Sequence, residues 1–211
     1  MTCLNSITIL KMAIGSTNCC NLEFFMEKPT SFPAVMKGAA VVSFAATVVF
    51  GLLHCFFLQN WLLSAAISTG TFFYHFAMRL AAGAIVPKIM PQPRYHKWFQ
   101  QKPFEPKLYQ MLKVKHWKDH MPTYDPASFS LRENTLEQVI NNCCVSEIVH
   151  EVIICFSFIP LLFTFLWGAF PIFLITSVLA AGIDGCFAIM QRYNRPRLVR
   201  ILEKKEALGR E

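Results

Sequence analysis

Glu147, His150 and Glu151 stand at i, i+3 and i+4, a spacing that puts three ionisable side chains on one face of a helix. A histidine near neutral pKa can take a proton, and a carboxylate one turn away can fix its tautomer and stabilise the imidazolium. The arrangement suits removal of a proton from a hydroxyl that attacks an acyl thioester, with His150 as the base and Glu147 orienting it. His75 and Arg79, four residues apart beside Tyr74, share a second helix face. There His75 is the alternative base, and Arg79 or Asn194 is a candidate to hold charge developing on an oxygen of the reacting group. Asp184 precedes Gln191 by seven residues, about two turns, so both can share a face with Arg195. Asp184 is also a partner for Arg79, as an ion pair tying two helices together.

The run from Gln191 to Leu198 contains Arg192, Asn194, Arg195 and Arg197 directly after an apolar stretch. Guanidinium forks match phosphate geometry, so Gln191, Arg192, Asn194, Arg195 and Arg197 are the expected contacts for phosphate or another anionic group. A positive-inside anchor is the plainer account, but an anchor needs only charge, and lysine would supply it. Arg79 has a plain account of its own, in which it snorkels to the interface. No metal is expected. A di-iron bundle requires a second Glu-x-x-His, which is missing, and the eight cysteines form no CxxC pair. Cys143 and Cys144 are expected near the membrane surface, where a thiol can be acylated.

Ionisable groups of this kind are costly at membrane depth, and the chain is built for a membrane. It has 211 residues, of which 54% are hydrophobic and only 16% charged, too apolar a balance for a soluble domain. Each crossing of a hydrocarbon core of about 30 Å takes about 20 apolar residues. Four segments qualify, near Val35 to Leu58, Trp61 to Val86, Val149 to Trp167 and Phe170 to Met190. The expected fold is therefore all-α, four transmembrane helices arranged as two hairpins, with an interfacial segment over 87–145. Residues 1–33 form an N-terminal segment, partly disordered or interfacial, 34–198 the membrane domain and 199–211 a basic tail.

Apart from Arg79, and Lys37 at the head of the first span, the basic residues gather in the N-terminal segment, between Lys88 and Arg132, and after Arg192. Those three regions share one face, which the positive-inside rule makes cytoplasmic, with both termini inside. The net charge of +7 thus serves topology first. No nucleic-acid motif accompanies it, and nucleic acid is excluded as a partner. The weakly apolar piece Ile7 to Ile14 is too short for a cleavable signal. Pro87, Pro91 and Pro93 are expected to stop the second helix. Aromatic residues among lysines then suit a segment lying in the headgroup region. Asn134 or Thr135, with Glu137 or Gln138 three residues on, marks the start of a helix that can run into the third span.

Three stretches carry a family likeness: Lys115 to Pro122, Glu147-Ile148-Val149-His150, and Gln191 to Leu198 followed by Arg200-Ile201-Leu202. They resemble the bacterial glycosyl-4,4'-diaponeurosporenoate acyltransferases, small membrane-embedded enzymes that attach a fatty acyl chain to a sugar hydroxyl of a carotenoid glycoside. The likeness covers about the C-terminal two-thirds of the chain, and the Gln-Arg-Tyr-Asn-Arg-Pro-Arg-Leu string is its specific part. It departs at Asp184-Gly185-Cys186, where members carry Asn, one residue and Pro, and at Val145-Ser146, where members carry basic residues.

The resemblance implies acyl transfer in a bacterial cell membrane. Acyl-CoA or acyl-carrier protein would be the co-substrate, with no tightly bound cofactor and a lipid or glycolipid as acceptor. Residues alone leave two further classes open: a four-span reductase or methyltransferase with a nucleotide cofactor, and a non-catalytic subunit gripping lipid headgroups. The oligomeric state is not legible.

Overall fold

The computed structural model describes residues 32–90 and 96–208. Most of segment 1–33, with Pro91 and Pro93, lies outside them. The regular elements are helices, and no strand occurs among the described residues. Three stretches among them are long and apolar enough to cross a membrane: Phe32–Phe57, Leu136–Trp167 and Phe170–Leu208. Their bulky side chains face outward, among them Val41, Val42, Phe44, Leu52, Ile175 and Leu179. Outward apolar surface on this scale is incompatible with water and natural in lipid. The chain is thus marked as a membrane protein.

The described chain forms two compact units, residues 32–90 with 147–188, and residues 96–146 with 189–208. In the first unit, α1 (Phe32–Phe57) and α2 (Asn60–Ile89) pack closely as a hairpin. Leu58 makes the turn in a left-handed conformation, with φ +50°, and its N–H donates to the His54 carbonyl at 2.7 Å. His54 Nδ1 lies 3.0 Å from the Gln59 carbonyl and so caps the same turn. Small residues let the two backbones approach, and the Thr47 and Thr69 hydroxyls meet across the hairpin at 3.1 Å. Pro87 sits inside α2 instead of ending it. So near the last turn its missing N–H costs a single bond, and the helix ends two residues later.

The short helices of the second unit are α3 (Glu105–Met111) and α4 (Val114–Trp117). The long α5 (Leu136–Phe156) follows, then α6 (Thr164–Trp167) and α7 (Phe170–Leu208). At the start of α5, Gln138 N–H donates to Thr135 Oγ1 at 3.2 Å and Thr135 N–H to Gln138 Oε1 at 2.7 Å. This is the expected capping box, with Thr135 and Gln138 as its members. Gly168, at φ +64°, closes α6 in the left-handed conformation that glycine adopts without penalty.

In the second unit Phe129, Leu136, Val139, Ile140, Cys143 and Leu198 form an apolar cluster. Cys143 and Cys144 are fully buried, which corrects the expectation of acylation at a surface. Residues 199–208, read from sequence as part of a tail, continue α7, and Val199, Ile201 and Leu202 pack on that cluster. The middle segment therefore has a core of its own, made with help from α5 and α7.

Candidate functional site

In the first unit the polar residues of α2, α5 and α7 meet around one carboxylate. Asp184 is 2% exposed and uses both of its oxygens. Oδ2 pairs with the Arg79 guanidinium, and Oδ1 lies 2.9 Å from His150 Nδ1. Arg79 is fixed further: Nη1 donates to the His75 carbonyl at 2.8 Å and Nη2 to the Ala180 carbonyl at 3.2 Å. So Arg79 is a partner within the bundle and does not snorkel. The His150 ring stacks on Phe187, with centroids 4.9 Å apart and planes 10° from parallel. A carboxylate on Nδ1 and a phenyl on its face hold the imidazole in one orientation, with Nε2 the ring nitrogen that Asp184 does not engage.

This corrects the sequence reading in one respect. Glu147 is buried in the same unit, but the carboxylate on the His150 imidazole is Asp184, 34 residues away along the chain. The i, i+3 spacing puts two residues on one helix face without making their polar ends meet. Asp184 instead reaches His150 from another helix. His75, the alternative base, is 5% exposed, and among the described residues neither of its ring nitrogens has a hydrogen-bond partner. It is beside Tyr74, whose hydroxyl donates to the Phe156 carbonyl at 2.8 Å. The His150 side chain, 19% exposed, is the more accessible of the two. Among the described residues no three His, Cys, Asp or Glu side chains gather as a metal site.

The second unit holds the arginine run. Because α7 continues through it, Gln191, Asn194, Arg195 and Leu198 fall at i, i+3, i+4 and i+7 and are all buried. Arg192 Nε donates to Glu105 Oε1 at 2.7 Å, and Nη2 to the Trp98 carbonyl at 3.1 Å. Arg195 is 2% exposed, donates to the Phe99 carbonyl at 3.1 Å and lies over the Phe99 ring. These two guanidiniums are bound into the fold, against the expectation that they contact donor phosphates. Arg192, its side chain 17% exposed, is held there by Glu105, a carboxylate only 1% exposed that a cation must neutralise. Gln191 Oε1 is buried without a partner among the described residues.

Arg197 is different. It lies over the Tyr193 ring at 4.2 Å, bonds the Tyr193 hydroxyl, and lines an open cleft of about 460 Å³. Lys113, Lys115, His116 and Arg200 line it too. Tyr109 meets Tyr193 edge-on at 5.3 Å and donates to Glu105 Oε2 at 3.0 Å. Burial first, and then the Glu105 carboxylate, raise the Tyr109 hydroxyl above its ordinary pKa. Glu105 and Lys113 were not singled out from the sequence, and Arg200 was noted only as part of the family-like string. The only local hint was the i, i+4 spacing of Glu105 and Tyr109 in a lysine-rich segment.

The sequence model of the glycosyl-4,4'-diaponeurosporenoate acyltransferases matches residues 95–204, just over half of the chain. The chain belongs to this family. It is accordingly an acyltransferase, and the match decides for that class over the nucleotide-cofactor and non-catalytic readings. The matched stretch carries His150, Asp184 and all the cleft residues named above. Arg79 and His75 precede it. No curated relative and no solved structure matches the chain.

Proposed function

We propose that this acyltransferase is a membrane-bound enzyme that moves a fatty acyl group from a thioester donor, acyl-CoA or acyl-carrier protein, to a hydroxyl of a glycolipid. The family points to a carotenoid glycoside as the acceptor. The observation that carries the reading is the hydrogen bond from His150 Nδ1 to an Asp184 carboxylate that Arg79 holds in place. With Nδ1–H given to Asp184, Nε2 has a lone pair and takes the proton of the acceptor hydroxyl. The freed oxygen attacks the thioester carbon, and the tetrahedral intermediate collapses with loss of the thiolate. The imidazolium, stabilised by Asp184, returns the proton to that sulfur. The products are an ester and a free thiol.

In this reading α1 and α2 form one membrane hairpin, and Leu136–Trp167 with α7 forms the second. Both termini are cytoplasmic in a bacterial cell membrane, and the segment between the hairpins lies at the headgroups. The apolar outer faces and the placement of basic residues support it. The test uses the purified full chain in neutral detergent with labelled acyl-CoA and a glycolipid acceptor. His150→Ala should slow transfer by about 10²- to 10⁴-fold. Transfer at the parental rate would remove His150 as the base.

A further inference from the structure

Lys113, Lys115, Arg197 and Arg200 line one cleft of about 460 Å³, and none of its lining residues is acidic. Its size falls within the range of about 300–1,000 Å³ that ligand sites occupy. Four like charges brought together on one surface repel one another, and an anion in the cleft would offset that cost. The cleft is also braced from below. Arg192 holds Glu105, Glu105 holds the Tyr109 hydroxyl, Tyr109 abuts Tyr193, and Tyr193 carries Arg197 on its ring. A guanidinium fixed by stacking and by a hydroxyl loses little further freedom on binding phosphate. Lys113 adopts a left-handed conformation, φ +49°, in the turn between α3 and α4, and that turn brings Lys113 and Lys115 to the same wall.

We propose that this cleft binds the phosphorylated nucleotide end of a coenzyme A thioester, through its diphosphate and 3'-phosphate. The proposal rests on the acyl-transfer reading and narrows the donor. A carrier protein offers a single phosphodiester on its prosthetic arm, a poor match for four cations. The cleft cations take the place that the sequence reading gave to Arg192 and Arg195.

The test measures binding of coenzyme A to the full chain in neutral detergent, by calorimetry and by thermal shift, without turnover. Pantetheine, which lacks the phosphates, is the control. Coenzyme A should bind, pantetheine should not, and added salt should weaken the binding. The exposed pair Lys115→Ala with Arg200→Ala should weaken coenzyme A about tenfold or more and raise the KM for acyl-CoA, with kcat unchanged. Arg200→Glu, a second variant at a solvent-facing position, should do the same. Equal binding of pantetheine, or parental affinity in both variants, overturns the assignment. It falls as well if phosphatidylglycerol in the micelle, and not coenzyme A, distinguishes parent from variant, because the cleft then holds a lipid headgroup. His150→Ala should keep its affinity for coenzyme A. Cleft-dependent binding in a parent protein that transfers no acyl group would sustain the cleft and sink the acyl-transfer reading.

Discussion

His150 Nδ1 and Asp184 Oδ1 are 2.9 Å apart, although α5 and α7 contribute them from positions 34 residues apart. Asp184→Asn keeps the shape but can present an amide N–H to Nδ1, which favours the imidazole tautomer with its proton on Nε2. Acyl transfer should fall by about 10²-fold or more in this variant. A steady-state assay with labelled acyl-CoA checks it, and an unchanged rate would strip Asp184 of its role.

Arg79 and Asp184 should be coupled in stability. Arg79→Leu leaves a buried carboxylate without its cation, a loss of about 3–5 kcal/mol. Combining it with Asp184→Leu removes both charges, and the double variant should recover most of that loss while remaining inactive. Thermal unfolding of the four proteins of the cycle measures the coupling, and simple additivity would contradict it.

Arg192 should behave as a structural residue. Arg192→Ala strips the cation from buried Glu105 and should cost about 3–5 kcal/mol, whereas Arg192→Lys should cost about 1–2 kcal/mol. The KM for acyl-CoA, measured in the folded fraction, should rise less than in Lys115→Ala with Arg200→Ala, because Arg192 reaches the cleft only through Glu105, Tyr109 and Tyr193. A stable Arg192→Ala protein whose donor KM rises as much as in that pair would restore Arg192 to the donor site.

Tyr109 predicts an alkaline limit. Its folded-state pKa lies above the ordinary 10.0, so the unfolded chain loses this proton first as pH rises. The contribution to stability is whole below about pH 10 and declines above it. Unfolding midpoints between about pH 8 and 11, around a phenol pKa of about 10, should fall less steeply in Tyr109→Phe than in the parent.

Local features were legible in the sequence. The Thr135 and Gln138 capping box, the α1–α2 hairpin and the shared helix face of Gln191 and Arg195 all follow from spacings within two turns. The Arg79–Asp184 pair was legible for another reason: few ionisable residues occur at membrane depth, so partners can be matched by scarcity. What stayed hidden depended on distant partners. Glu105 looks like one acid in a basic segment until Arg192, 87 residues on, is seen to neutralise it. The choice of Asp184 over Glu147 for His150 likewise turns on how helices pack, which helical periodicity does not encode. α7 also passes through Pro196. Packing of Leu198, Val199, Ile201 and Leu202 outweighs the single backbone bond that the proline removes.

The separation of Arg79 from Asp184, 105 residues along the chain, also bears on biogenesis. In the proposed four-span arrangement a ribosome delivers the guanidinium well before its counter-ion exists, so the nascent α2 waits at the translocon or the membrane surface with an uncompensated cation. Completion of α7 releases it from that wait. Ribosome stalling just before codon 184 should therefore leave a product that quality-control proteases remove.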